Sequence, residues 1–125
     1  MPGGCQVAAV QDASRNEPEQ RVRASFDKQG LMTTLGATLE SVSRGSVEIA
    51  LRPRPDISQQ HGFVHAGAVS AIADSAAGYA ALSLMPEGAG VLTVEFKINL
   101  LAPAAGAVLP PSFQDVDAGR RNANM

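Results

Sequence analysis

The sequence predicts an α+β fold in which a helix lies on an antiparallel sheet. Three observations predict it: an alternating pattern over residues 37–52, an apolar small-residue stretch over residues 66–85, and a second alternation over residues 91–101. Apolar residues at every second position are typical of a half-buried strand, and a long apolar helix is normally buried. The 125 residues, 45% of them hydrophobic, are enough for one domain with one modest core.

The interpretable pattern covers residues 16–106, which we predict to form the domain. Residues 1–15 are polar and show no periodicity, so we expect a loose leader there. Residues 107–125 are expected to form an atypical tail, because Pro110 and Pro111 end its short apolar run and nothing after them alternates.

A short amphipathic helix is predicted at the start of the domain. Asn16 can cap it, and Glu19 lies three residues later, as a capping box requires. Val22 and Phe26 share one face, and Gly30 is a suitable terminator. This narrow apolar stripe should dock on a larger element.

A hairpin with one buried face is predicted next. Alternation begins at Ala37, and the polar residues 43–46 provide the turn. In the second strand Val47, Ile49 and Leu51 alternate with more polar residues. Further along, Val94, Phe96, Ile98 and Leu100 alternate in the same way and predict a long strand over residues 91–101.

Charge and cysteine content exclude several classes of function. Ten basic and twelve acidic residues give no basic field for nucleic acid or an anionic membrane. We interpret residues 52–55, Arg-Pro-Arg-Pro, as a stiff exit from the hairpin. No uncharged stretch is suited to span a membrane, and the first residues lack a basic signal region, so we expect a cytoplasmic protein. The single cysteine, Cys5, can form neither an internal disulfide nor a metal cluster.

Asp74 is the one charge in the predicted helix over residues 66–85. A buried carboxylate is costly unless it is paired, hydrogen-bonded or used in chemistry. It could also be an exposed side chain on an alanine-rich helix, or a cap for a neighbouring loop. The preceding residues 59–67 include small residues at a helix N-terminus, where free N–H groups favour negative charge, and this indicates an oxyanion site.

The spacing of these two features predicts a dimer. Eight residues separate Ala66 from Asp74, which is about 12 Å along a helix. That is too far for both to act on one carbonyl group. If both are catalytic, each site combines the backbone donors of one chain with the carboxylate of another.

A spaced motif extends through the centre of the chain. It comprises Gln59, Gly62, His65, Ala66 and Gly67, followed by Asp74 and by the run Val94-Glu95-Phe96-Lys97-Ile98-Asn99 before Leu101-Ala102-Pro103. This motif resembles that of the PaaI-like group of hotdog-fold acyl-CoA thioesterases, and the similarity covers about residues 20 to 106. Residues 31–37 are similar to the segment leading into that group's first strand. The resemblance implies a hotdog fold, an antiparallel sheet wrapped around a central helix, which here would be incomplete at its C-terminal strands.

The resemblance also implies residue roles. Asp74 would be the catalytic carboxylate, acting as general base or as nucleophile. The backbone N–H of Ala66, together with that of Gly67, would polarise the thioester carbonyl. Relatives usually have Gly where this chain has Ala66, but a backbone donor survives the change.

Three further residues occupy positions that matter in the family. Gln59 stands where relatives often have Asn and could orient the thioester or the attacking water. Thr93 stands where relatives often place Ser or Thr near that water, although an ordinary strand hydroxyl is an open alternative. His65 is expected to fix the loop by hydrogen bonds rather than to pair with His61 as a metal ligand. We expect Tyr79 to pack in the core.

The predicted function is hydrolysis of acyl-CoA to free acid and CoA, by a homodimer or dimer of dimers that needs no redox or metal cofactor. Related hydratases pair the acid with a following histidine, and none occurs after His65. The alternative is a noncatalytic acyl-CoA-binding protein, or an inactive truncated one, since the tail lacks the family's last strands and would leave an apolar face of the helix uncovered. An aberrant ending or a fragment would explain the tail. The identity of the preferred acyl group is left open.

Overall fold

The computed structural model describes residues 17–106 and the backbone of residues 112–114. Helix α1 covers residues 17–26 and helix α2 covers Gly30–Leu35. Strands β1, Thr38–Ser43, and β2, Ser46–Ala50, follow, then a single 3-10 turn at Pro55–Ile57. Helix α3, Ala66–Leu82, is the longest described element, and strand β3 is Ser112–Gln114.

The sheet has the order β1-β2-β3 and is antiparallel. The predicted hairpin is confirmed: Ser43 pairs with Ser46, and the turn between them contains Gly45 at φ +76°, a value that glycine adopts without strain. β2 is the central strand, and its Val47 and Ile49 are fully buried. Because alternate side chains of β2 are buried, one face of the hairpin packs against the helix.

Helix α3 packs against β2 and forms the centre of the core. Its stripe of Ala68, Ile72, Ala76 and Ala80 is buried, and the small side chains let neighbouring elements approach its backbone. The helix ends three residues earlier than predicted. Ser83 is the physical reason, because its buried hydroxyl donates to the Ala80 carbonyl and accepts a 2.7 Å hydrogen bond from the Gly45 N–H.

Helix α1 docks on a larger element as predicted, and that element is α3; α1 ends at residue 26, however, and Gly30 begins α2 instead of terminating α1. Val22 and Phe26 are buried, and the Phe26 ring lies 6.3 Å from the Tyr79 ring, measured between centroids. Arg21 secures the same contact, since its guanidinium donates to the carbonyls of Leu82 and Met85 at 3.0 Å and to that of Pro86 at 2.9 Å. A cation at a helix C-terminus satisfies free carbonyls and opposes the helix dipole.

Residues 31–37 lead directly into the first strand, β1, as the resemblance implies. They form most of α2, because Met32 and Leu35 bury one helical face, and Gly36 ends the helix at φ +68°. Arg54 donates to the Leu35 carbonyl at 2.5 Å and to the Thr34 carbonyl at 2.6 Å. The Arg-Pro-Arg-Pro segment therefore includes a helix cap.

The prediction of a strand over residues 91–101 is wrong, because this segment has no regular secondary structure. A strand needs a neighbour for its N–H and C=O groups, and no described strand lies beside it. Its apolar side chains are consequently exposed, Leu92 to 88% and Leu101 to 94%.

The tail was expected to contain no strand, and this too is corrected. β3 pairs with β2 so that Val47 lies opposite Phe113. Three residues are too few to show alternation, and prolines are tolerated just before a strand. The predicted leader, residues 1–15, lies outside the described residues, as do residues 107–111 and 115–125.

Candidate functional site

Two cavities divide the predicted site residues into two groups. The Asp74 cavity, of about 400 Å³, lies between α1, α3 and residues 89–93, and it includes Thr93. The His65 cavity, of about 600 Å³, lies between the loop over residues 59–66 and residues 100–104, and it includes Gln59 and Ala66. Asp74 and Thr93 are therefore brought together, while the helix N-terminus belongs to a separate cavity.

The separation is fixed by α3 itself. Ala66 is its first residue and Asp74 its ninth, on one continuous helix. At 1.5 Å per residue, about 12 Å of helix axis lies between them. The two groups cannot act on one carbonyl of a single chain.

Asp74 is held from one side by Thr93. The Thr93 hydroxyl Oγ1 donates a 2.7 Å hydrogen bond to Asp74 Oδ1. Within the described part of the chain, Oδ2 accepts no hydrogen bond, and the half-buried carboxylate has no ion-pair partner. A carboxylate with one oxygen fixed and the other free can take a proton from water or attack an electrophilic carbon.

His65 caps the N-terminus of α3. Its imidazole Nδ1 accepts a 2.8 Å hydrogen bond from the Gly67 N–H. The backbone N–H of His65 donates to the Ile57 carbonyl at 2.9 Å. A Cβ at Gly67 would lie 3.0 Å from that Nδ1, so glycine suits the close approach of the ring. Because Gly67 is engaged by His65, the Ala66 N–H is the donor left without a partner among the described residues.

The loop before α3 is closed by its own hydrogen bonds. Gln59 donates its N–H to the Phe63 carbonyl at 2.8 Å and accepts from the Gly62 N–H at 3.0 Å. Its side-chain Oε1 accepts from the His61 N–H, which leaves Nε2 as its free polar group towards a ligand. Gly62 adopts φ +86°, which allows the tight turn.

Sequence reasoning missed a polar cluster in the Asp74 cavity and assigned Tyr79 to core packing alone. The Tyr79 ring is buried, but its hydroxyl contacts Gln29 and Ser25, and Gln29 also contacts Ser75. The available signal was spacing, since Arg21, Ser25 and Gln29 recur every four residues, as do Ser75 and Tyr79.

Two further findings bear on ligands and location. No group of three His, Cys, Asp or Glu side chains in the described ranges is arranged to hold a metal ion. No helix of the described residues has the length and apolarity needed to cross a membrane.

Comparison with known proteins relates this geometry to a family. The model of the Thioesterase superfamily matches residues 61–108. A crystal structure of a thioesterase family protein from Silicibacter pomeroyi is 50% identical, with a TM-score of 0.79 over 82% of this chain and 76% of that one. This similarity extends well beyond the helix motif.

A more distant structural neighbour and a curated sequence relative were also found. The E. coli PaaI protein from the phenylacetic acid degradation operon is 21% identical, with a TM-score of 0.71 over 80% of this chain and 71% of its own. A protein of Halobacterium salinarum named as a candidate esterase is 27% identical over 93 residues, 70% of this chain. The chain spans 62% of the length of that curated relative.

The central helix, the antiparallel sheet and these matches agree on one architecture. The chain belongs to the thioesterase superfamily and has the hotdog fold.

Proposed function

We propose that the protein hydrolyses acyl-CoA thioesters to a free acid and CoA, with the cytoplasm as its location. The observation that carries the proposal is the hydrogen bond from Thr93 to Asp74, which fixes a carboxylate at a cavity in a member of the thioesterase superfamily. A thioester carbonyl is attacked readily by water once a base removes the water proton.

Asp74 is the proposed general base. It takes a proton from water as the water oxygen bonds to the carbonyl carbon, and the carbonyl oxygen becomes an oxyanion. Collapse of this intermediate breaks the C–S bond, and the proton held by Asp74 passes to the departing CoA thiolate. In the alternative route, an Asp74 oxygen bonds to the carbonyl carbon and the C–S bond breaks, which releases the CoA thiolate. Water then hydrolyses the resulting anhydride to the free acid and restores the Asp74 carboxylate.

The oxyanion would be stabilised by the Ala66 N–H of a second copy of the chain. Among the described residues of one chain the Ala66 N–H has no partner, but it lies about two helical turns from Asp74. His65 holds the first turn of α3 in place by its bond to Gly67, and the amide Nε2 of Gln59 is the proposed group that orients the thioester. A fixed N–H donor facing a developing oxyanion is a strong source of catalysis.

The exposed segment over residues 91–101 supports association of two copies. It carries Thr93 and five apolar side chains that are at least half exposed: Leu92, Val94, Phe96, Leu100 and Leu101. Antiparallel pairing of two copies about Phe96 would place Glu95 of each opposite Lys97 of the other. Such pairing would cover the apolar side chains and complete the backbone hydrogen bonds of both segments.

Thiol release from acyl-CoA tests the proposal. The wild-type protein should release CoA, and Asp74→Asn should lower kcat by about a hundredfold or more, because removal of a general base typically has that effect. Circular dichroism should show that the variant keeps its fold. Binding of acyl-CoA without turnover by the wild type would instead favour the noncatalytic acyl-CoA-binding alternative.

A further inference from the structure

Four polar side chains form a continuous cluster in the Asp74 cavity. Ser75 Oγ donates to Gln29 Oε1 at 3.2 Å, and Gln29 Nε2 donates to the Tyr79 hydroxyl at 2.7 Å. The Tyr79 hydroxyl and Ser25 Oγ are 3.2 Å apart. All four side chains line the same cavity as Asp74. The cluster joins α1 to α3 and also faces the space beside the proposed base.

The donor and acceptor groups of these side chains fix the direction of each hydrogen bond in the cluster. Gln29 Oε1 can only accept and Nε2 can only donate, so Tyr79 accepts from Gln29. The phenolic proton of Tyr79 then goes to Ser25 Oγ, the acceptor that the described residues offer it. This leaves the hydroxyl proton of Ser25 and the second proton of Gln29 Nε2 without an acceptor among the described side chains. The cluster therefore offers hydrogen-bond donors to a ligand.

The position of the cluster suits the far end of an acyl group. Tyr79 is five residues after Asp74, which is about 7.5 Å along the helix axis. Gly78 lies between them on the cavity wall and carries no side chain, and a Cβ there would come within 3.8 Å of Val91. Asp74, Gly78 and Ser25 line one cavity, so the path that we propose for an acyl chain runs from Asp74 past Gly78 towards Ser25.

We propose that this cluster is an acyl subsite that selects acyl groups with a neutral oxygen acceptor, such as a hydroxyl, near their far end over plain alkyl groups of equal length. The inference rests on the proposed function, because it requires the Asp74 cavity to receive the acyl group.

The test compares hexanoyl-CoA with its omega-hydroxy analogue by kcat/KM. A parallel arm measures the Kd of the two matching thioethers, S-hexyl-CoA and S-(omega-hydroxyhexyl)-CoA, by calorimetry on the full chain. We expect the hydroxylated member to be favoured roughly 2- to 10-fold in both arms, the net value of one hydrogen bond. Ser25→Ala should bring the ratio close to one, and Ser25→Thr should restore it.

Two variants complete the design. Tyr79→Phe should also reduce the ratio, because it removes the hydroxyl that orients Ser25. Ser41→Ala is the matched control, since Ser41 is exposed on β1 and its hydroxyl bonds only to Glu48, at 2.9 Å. It should leave the ratio unchanged.

The two arms separate the subsite from the proposed function. Selective binding of the hydroxylated thioether without hydrolysis of either ester would support the subsite and contradict the proposed function. Hydrolysis that depends on Asp74 but treats both esters alike would leave the function standing and overturn the subsite. Failure to bind either thioether, or a preference that survives Ser25→Ala, would also overturn the subsite.

Discussion

Thr93 donates a 2.7 Å hydrogen bond to Asp74 and so connects the exposed segment over residues 91–101 to the central helix. The donor lies on a segment that has no described strand beside it, and the acceptor lies on the most buried helix of the described part of the chain. The proposed catalytic carboxylate is therefore oriented by the segment that we propose as the contact between two copies.

Removal of the Thr93 hydroxyl should weaken catalysis without unfolding the protein. Thr93→Ala is expected to lower kcat/KM roughly 10-fold, because one charge-assisted hydrogen bond to the base is lost. Thr93→Ser keeps the hydroxyl and should keep most of the activity. Steady-state kinetics on acyl-CoA measure both.

A matched control is available for this variant. The Thr38 hydroxyl also donates to a carboxylate, that of Glu40 at 2.6 Å, but on the exposed β1 strand. Thr38→Ala should leave kcat/KM unchanged. Equal activity of Thr93→Ala and the wild type would show that the Thr93 contact has no catalytic role.

Gly67→Ala should lower activity while changing stability little. The new Cβ would crowd the His65 ring and displace its capping bond, which costs about 1 kcal/mol. Alanine gains about 1 kcal/mol in helix propensity over glycine, so the two effects nearly cancel. We expect a several-fold loss in kcat with a Tm close to that of the wild type.

Gly30→Ala serves as the comparison for Gly67→Ala. No atom lies within 4 Å of the Cβ that this change would add, and Gly30 itself lines neither cavity. It should not reduce kcat. A Gly67→Ala protein with full activity would contradict the proposed role of His65 in holding the start of α3.

Lys97→Glu tests the proposed pairing of two copies. It would place like charges at positions 95 and 97 across the contact and should shift the protein towards monomer in size-exclusion chromatography. Adding Glu95→Lys restores opposite charges and should restore the dimer. An elution volume that neither change alters would count against antiparallel pairing about Phe96.

Local patterns predicted the hairpin and α3 because their periodicity reflects burial against neighbours within the described chain. The segment over residues 91–101 has the same alternation as β2 but no described strand beside it, so alternation alone could not decide its structure.

The site was predictable only in part. Asp74 stood out because a charge interrupts an apolar helix, and its neighbour Thr93 was indicated by the family resemblance. In the sequence, Ser25 and Gln29 resemble the ordinary polar face of the short helix predicted before Gly30. Their place beside Asp74 follows from how α1 docks on α3, which no local pattern specifies.

Complementation between two defective chains tests the central claim, that each site combines two copies. One chain carries Asp74→Asn and the other Ala66→Pro, which removes the proposed oxyanion donor. Proline is accepted at the first position of a helix, and His65 already has the extended conformation, φ −61° and ψ 137°, that precedes proline.

Each variant alone should be nearly inactive, and circular dichroism should show that both are folded. Co-expressed in equal amounts, half of the dimers should be mixed, and each mixed dimer has one intact site. The account predicts recovery of about a quarter of wild-type activity per chain, as the two-fold symmetry of a dimer requires. Mixed dimers that form but recover no activity would contradict it.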